Sequence, residues 1–270
     1  MLRAIVSAFF LSLTSIPAAW PQDIPPVVDV ELVLAVDVSW SMDLDEQRLQ
    51  REGYVNAIRD PQVVTEIRRG DWGRIAVTYV EWAGVGLQRT VVPWTIISSQ
   101  AEAEAFATAL SEASIGRMRR TSISSALLLS AALFDNGIDG FRRVIDISGD
   151  GPNNMGPMVT DARDKVIRQG ITINGLPIMI KQRIRGDFFQ IENLDEYYNN
   201  CVIGGMGSFM ITVESKEQFG QAIRRKLILE IAGAEPRVQK AQHSAPQMSV
   251  GADCMVGEKQ WRRWRRFDQW

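Results

Sequence analysis

Histidine and cysteine are almost missing from this chain: among 270 residues there is one His, His243, and there are two Cys, Cys201 and Cys254. A single imidazole excludes sites built from several His and leaves little room for a Ser-His-Asp triad. Two thiols are too few for a four-Cys zinc site or an iron–sulfur cluster held by this chain alone. An excess of one charge is missing as well. Lys and Arg number 30 against 32 Asp and Glu, a net of −2, which argues against a general nucleic-acid binder with its broadly positive face. What is present is ordinary for a globular protein, 46% hydrophobic and 23% charged. Polar chemistry is left to carboxylates, hydroxyls and amides, donors that suit a hard cation such as Mg²⁺.

The two ends differ from the middle. Met1-Leu2-Arg3 and the apolar run Ala4 to Leu13, closed by Pro17-Ala18-Ala19, read as a secretory signal peptide over residues 1–19. The run falls short of the roughly 20 residues a membrane span needs. A leader over residues 20–27 follows, with Pro21, Pro25 and Pro26. The expected location is therefore periplasmic or secreted. In an oxidising compartment Cys201 and Cys254 are most simply one disulfide, worth about 4 kcal/mol in the loop-entropy model; two free thiols are the alternative. From residue 233 to 270 the sequence reads as a tail. It ends in five cations against two acids, so the rest of the chain is acidic. On a helical wheel Trp261, Trp264, Phe267 and Trp270 share one half and four Arg the other. That pattern fits a short interfacial helix touching an anionic membrane or a partner, or one whose Trp residues pack on their own domain.

Between residues 28 and 232 strands and helices alternate. Val30 to Val36 is an apolar run of the kind a strand buried on both faces shows. A helix over 45–59, a hairpin of strands 74–82 and 88–95, and helices over 100–113 and 122–134 follow. Then come a strand at 143–148, a helix at 159–169, strands at 171–179 and 208–213, and a closing amphipathic helix through Phe219, Ala222, Ile223 and Leu227. The expected fold is α/β, a doubly wound, mostly parallel open sheet with one antiparallel strand and helices on both faces. Such sheets place their sites beyond the carboxyl ends of the strands.

The loops at those ends carry the chemistry. Asp37-Val38-Ser39-Trp40-Ser41 follows the first strand, Ser148-Gly149-Asp150-Gly151 another, and Thr121-Ser122 opens a buried helix. Two carboxylates and three hydroxyls from three loops make an oxygen-only site suited to a hard divalent cation. Asp37-x-Ser39-x-Ser41, Thr121 and Asp150, in this order on this alternation, resemble the metal-ion-dependent adhesion site (MIDAS) of von Willebrand factor type A domains. The resemblance covers about residues 28–231 and extends to uncharacterised exported single-domain bacterial members. It implies that Ser39 and Ser41 ligate the metal directly, Thr121 in the tight-binding state, and Asp37 and Asp150 directly or through water. Mg²⁺ is the expected occupant, with Mn²⁺ and Ca²⁺ as alternatives, and the sixth position falls to an acidic group of a protein or other ligand.

One departure stands out: Arg119 and Arg120 occupy the place where the family carries glycines. Together with Trp40 and Asn153 they are expected on a partner-binding rim, with the two Arg either favouring an anionic partner or pairing with acids beside them. Asp146, on the same strand face as Asp150, reads either as a support to the site or as a polar residue paired inside the sheet. The function expected is a non-enzymatic, metal-dependent binding module. The alternatives are a Mg²⁺-dependent phosphohydrolase with Asp37 as nucleophile, although Ser39 stands where those enzymes need a second carboxylate, and a membrane-surface protein acting through its tail.

Overall fold

The structure, a computed structural model, describes residues 25–180, 191–233 and 252–267. The signal peptide expected over residues 1–19, most of the leader, His243 and Trp270 lie outside the described residues. Five strands form one sheet: β1 (Val27–Asp37), β2 (Ile75–Trp82), β3 (Gln88–Ile97), β4 (Asp139–Gly149) and β5 (Ile171–Pro177). Their order is β3-β2-β1-β4-β5, with β3 antiparallel to β2 and the other pairs parallel.

Strand alternation with a core on each face explains why β1 is unbroken apolar sequence from Leu32 to Val36. Val30, Leu32, Leu34 and Val36 enter one core, shared with α1 (Leu44–Ile58), α2 (Pro61–Arg69), α3 (Gln100–Glu112) and α7 (Phe219–Ala232). Val33 and Ala35 enter the other, under α4 (Ile123–Ala132), α5 (Val159–Ile167), α6 (Leu194–Tyr197) and the π-turn Tyr198–Val202. Helix α1 starts where Asp43 accepts from Glu46 N while the Glu46 carboxylate accepts from Asp43 N, a capping box. Helix α2 was not expected, although its start is signposted: Asp60 caps Gln62 N and Pro61 sits in the first turn.

The strand expected over 208–213 is not a full strand. It meets β5 only through isolated bridges, Gly175 with Met210 and Ile178 with Val213. The bonds run from Gly175 N to Phe209 O, Ile211 N to Gly175 O, Val213 N to Pro177 O and Met179 N to Val213 O. The bond that would continue this ladder between them needs an N–H on residue 177, and Pro177 has none.

Asp146 belongs to a buried ion cluster inside the α1/α7 layer. Lys226 Nζ lies 2.7 Å from Asp146 Oδ1 and also contacts Glu230. Tyr54 donates to Asp146 at 3.3 Å, and Asn174 donates to Glu230 at 3.0 Å. Burial, then the Asp146 charge, pushes the Glu230 carboxyl up to about 7, with Lys226 pulling the other way. Of the two readings of Asp146, pairing inside the sheet is the one this geometry matches.

Candidate metal-binding site

From β1 the chain crosses to β2 on one side, and later returns on the other side to β4. The crevice beyond the carboxyl ends of β1 and β4 is thus the switch point where open α/β sheets bind ligands. Register sets Val36 opposite Ser148, so Asp37 and Asp150 emerge as neighbours from adjacent strands. Both are buried, Asp37 fully. Gly149 lets them approach: a Cβ there would stand 3.0 Å from Asp37 Oδ2 and 2.9 Å from the Tyr198 hydroxyl.

The backbone N–H of Ser39 and two hydroxyls link the two acids. Ser39 N donates to Asp37 Oδ1 at 2.7 Å, Ser39 Oγ lies 2.8 Å from Ser41 Oγ, and Ser41 Oγ donates to Asp150 Oδ1 at 2.6 Å. Thr121 reaches the same place from the loop before α4. Its backbone is clamped by Asn154, whose Oδ1 accepts from Thr121 N at 3.2 Å and whose N donates to Thr121 O at 3.0 Å. Ser39, Ser41 and Thr121 line one cavity of about 400 Å³. Ser148, by contrast, points into the α1 layer and accepts from Gln50 at 2.8 Å.

These residues fit a hard cation. Every donor is an oxygen, and Asp37 Oδ2 is buried with no hydrogen-bond partner among the described residues. Burial first, and the Asp150 charge second, raise the Asp37 pKa well above the ordinary carboxylate range. A divalent cation held by these residues would offset that repulsion. Among the described residues no three or more His, Cys, Asp or Glu cluster together, here included, so hydroxyls would have to complete the donor set at this site.

The rim differs in part from expectation. Trp40 is half-exposed, with the Arg119 guanidinium 4.1 Å from its ring centroid and Arg117 at 5.8 Å. Arg120 stacks on Trp261 at 3.6 Å. Neither Arg119 nor Arg120 has a carboxylate partner among the described residues. Arg120 has φ +73°, the left-handed region, and among the described residues every other positive φ belongs to Gly. A side chain there costs roughly 1–2 kcal/mol, which explains why a glycine is the easier choice at this position. Asn153 is a correction: it is fully buried and not on the rim. Its Oδ1 accepts from Ser124 N at 3.1 Å, satisfying a first-turn donor of α4, and its Nδ2 donates to Glu258 at 2.7 Å.

Glu258 belongs to α8 (Val256–Phe267), the helix expected from the tail's pattern. Cys201, buried in the π-turn, is bridged to Cys254 across 53 residues, and Val256 packs on the same core. Gly257 lets α8 close on the loop after β4, since a Cβ there would stand 2.1 Å from Asn153 O. Trp261 and Trp264, stacked at 4.8 Å between centroids, thereby form a wall of the cavity above Ser39 and Thr121. Sequence reasoning placed both Trp on one helix face but did not place that face over the site.

A family model described as "Protein of unknown function (DUF1194)" matches residues 27–235. No curated protein matches the sequence. Similar solved structures include the pilus adhesin SpaC from Lactobacillus rhamnosus GG, with TM-score 0.55, 15% identity, and 78% of this chain matched to 31% of that one. Proximal thread matrix protein 1 from the mussel byssus, with a zinc-occupied MIDAS motif, matches with TM-score 0.52 and 13% identity, covering 77% of this chain and 49% of that one. A von Willebrand factor type A protein from Catenulispora acidiphila matches with TM-score 0.51 and 12% identity, covering 76% and 43%. The chain spans about a third of the adhesin's length and less than half of the other two. Identities this low establish a shared fold and nothing finer.

Proposed function

The chain belongs to the DUF1194 family and its domain is von Willebrand factor type A-like, and from this premise we propose that it is an exported, divalent-metal-dependent module that captures an acidic group of its partner. The observation that carries this reading is the meeting of Asp37 and Asp150 at the sheet's switch point, with Asp37 Oδ2 buried and unsatisfied beside the Ser39–Ser41 hydroxyl pair. Asp37, Ser39, Ser41, Thr121 and Asp150 would hold the cation, with Mg²⁺ the occupant that all-oxygen donors favour and Mn²⁺ or Ca²⁺ the alternatives. When bound, the cation supplies a Lewis-acidic position for a carboxylate oxygen. The protein's own part is to hold the hydroxyls and acids on the ends of β1 and β4, clamp Thr121 through Asn154, and crowd Arg119 and Arg120 at the mouth.

Binding is favoured over hydrolysis because a hydroxyl, Ser39, stands two residues after Asp37 where a phosphohydrolase of this kind needs a second carboxylate. The names of two similar structures, an adhesin and a thread matrix protein, point the same way. The Cys201–Cys254 bridge and the apolar N-terminal run favour a periplasmic or secreted location.

The test is retention on a carboxylate resin. In excess Mg²⁺ the full chain should be retained, chelator should release it, and Asp37→Ala should pass through in either condition. Retention that survives chelation and disappears on deleting residues 261–270 would assign binding to the basic aromatic end instead.

A further inference from the structure

Glycine is the residue that adopts a positive φ without strain, and among the described residues this chain departs from it only at Arg120, φ +73°. Strain kept at the mouth of a cavity points to what the side chain does there. The Arg120 guanidinium lies 3.6 Å from the ring centroid of Trp261, and that of Arg265 lies 6.0 Å from the same centroid. Arg119 and Arg117 lie 4.1 and 5.8 Å from the ring centroid of Trp40. Among the described residues none of these four Arg pairs with a carboxylate or donates a side-chain hydrogen bond. Burial first, then the charges of Arg265 and Arg119, lower the Arg120 pKa.

The cations border a groove. Arg119 and Arg120 line the cavity of about 400 Å³ whose floor is Ser39, Ser41 and Thr121. Arg120 also lines a second cavity of about 460 Å³, together with Arg262 and Arg265. Asn154 and Trp261 border both, so the two adjoin and lead from the candidate metal site along α8. The acid in the second lining, Glu258, accepts from Asn153 and joins no ion pair among the described residues. Oxygen donors at one end and guanidinium groups beyond suit an extended chain, whose residues advance by about 3.3 Å each. A bilayer suits them less. Trp261 and Trp264 are turned into the first cavity, while Arg262, Arg263 and Arg265 are exposed. Among the described residues the outer face of α8 thus carries cations without the apolar anchors an interfacial helix inserts.

We propose that the partner is an acidic peptide segment gripped at two points, one carboxylate at the floor of Ser39, Ser41 and Thr121 and a second, a few residues along, at the guanidinium groups of Arg120 and Arg265. Guanidinium forks take carboxylate oxygens in paired, charge-assisted hydrogen bonds. The inference rests on the metal-binding reading above and specifies its partner. Arg120 and Arg265 become specificity-determining residues, and α8 supplies one side of the second grip.

The experiment is calorimetry of the full, oxidised chain in excess Mg²⁺ with capped, Gly-rich hexapeptides. One set carries two Glu, the second placed one, two or three positions after the first. The others replace the second Glu, or both, by Gln. The best two-Glu peptide should bind about tenfold more tightly than the one-Glu peptide, the scale of one charge-assisted hydrogen bond, and the peptide without Glu should not bind measurably. Arg120→Gly, which this backbone accepts without strain, and Arg265→Gln, at an exposed position, should each remove most of that difference. Equal affinity for the one-Glu and all two-Glu peptides, with the Mg²⁺-induced rise in melting temperature intact, would overturn the second grip and leave the metal-binding reading standing. A difference that persists in both variants, or two-Glu binding that survives chelation undiminished, would overturn it too. So would phosphatidylserine vesicles that bind the chain in chelator and lose it on Arg265→Gln while the peptides do not differ, since the cluster would then serve a membrane. A wild type without any Mg²⁺ response would remove the metal-binding reading, and this inference with it.

Discussion

Replacing Lys226 by Met should destabilise the protein by about 3–5 kcal/mol near pH 8 and by much less near pH 5. Lys226 is fully buried between Asp146 and Glu230, and its aliphatic stem is replaced by Met with little change in packing. What is lost is the cation, so two carboxylates remain in a low-dielectric layer. At high pH Glu230 must ionise beside Asp146 or take up a proton against the solvent. In acid Glu230 takes up its proton readily, and much of the penalty disappears. The wild type already leans this way. The Glu230 carboxyl is raised from 4.5 to about 7, so the folded state holds a proton that the unfolded chain gives up. The stability this group contributes is complete below about pH 4.5 and is lost as pH rises through about 7. Urea unfolding of both proteins across this range measures the effect. A penalty that is small, or equal at the two ends of the range, would contradict the ion cluster.

The second large effect concerns the Cys201–Cys254 bridge. Closing 53 residues of chain is worth about 4 kcal/mol in the loop-entropy model, and here that tether holds one short element. Without it, α8 keeps the Arg120–Trp261 stack, the Asn153–Glu258 hydrogen bond and the packing of Val256. An isolated helix of 12 residues is marginal in water. Cys201→Ser with Cys254→Ser should therefore release α8 while the sheet stays folded. Trypsin cleavage after Arg262 and Arg263 should quicken by at least about tenfold, since α8 opening then needs only local unfolding. The indole emission should shift to the red as Trp261 and Trp264 reach water. Unchanged cleavage would mean that the side-chain contacts alone dock the helix.

Residues whose role is set by their own strand were the most legible. An apolar run announces a buried parallel strand and the acid ending it lands at the sheet's carboxyl edge, which places Asp37, whereas the roles given to Ser39 and Ser41 come from the resemblance to the type A adhesion site. Asp150 is placed the same way by β4. The one misreading near the site, and the one reading left open there, have long-range causes. Asn153 sits in a Pro-flanked polar stretch that looks solvent-facing, yet its amide is drawn inward by the bare N–H groups of α4 and by Glu258 from a distant helix. Periodicity identified the aromatic half of α8, but the surface that half covers depends on the bridge to Cys201 and on Gly257 seating against Asn153. The interrupted strand at 208–213 reflects a proline on its neighbour, which no pattern within the segment itself records. Helix α2 is different: its Asp60-Pro61 start was readable, and with Val63, Val64 and Ile67 buried it shows a short amphipathic face that was passed over.

The central claim is that Asp37, Ser39, Ser41, Thr121 and Asp150 form a divalent-cation site. Its most direct test is a thermal melt of wild type and Asp37→Ala, each in excess Mg²⁺ and in chelator. A cation that binds only the native state adds about 2.7 kcal/mol when present at roughly a hundred times its dissociation constant. Wild type should melt several degrees higher in Mg²⁺ than in chelator, and Asp37→Ala should melt at one temperature in both. A wild type indifferent to Mg²⁺, or a variant that responds as fully as wild type, would contradict the account.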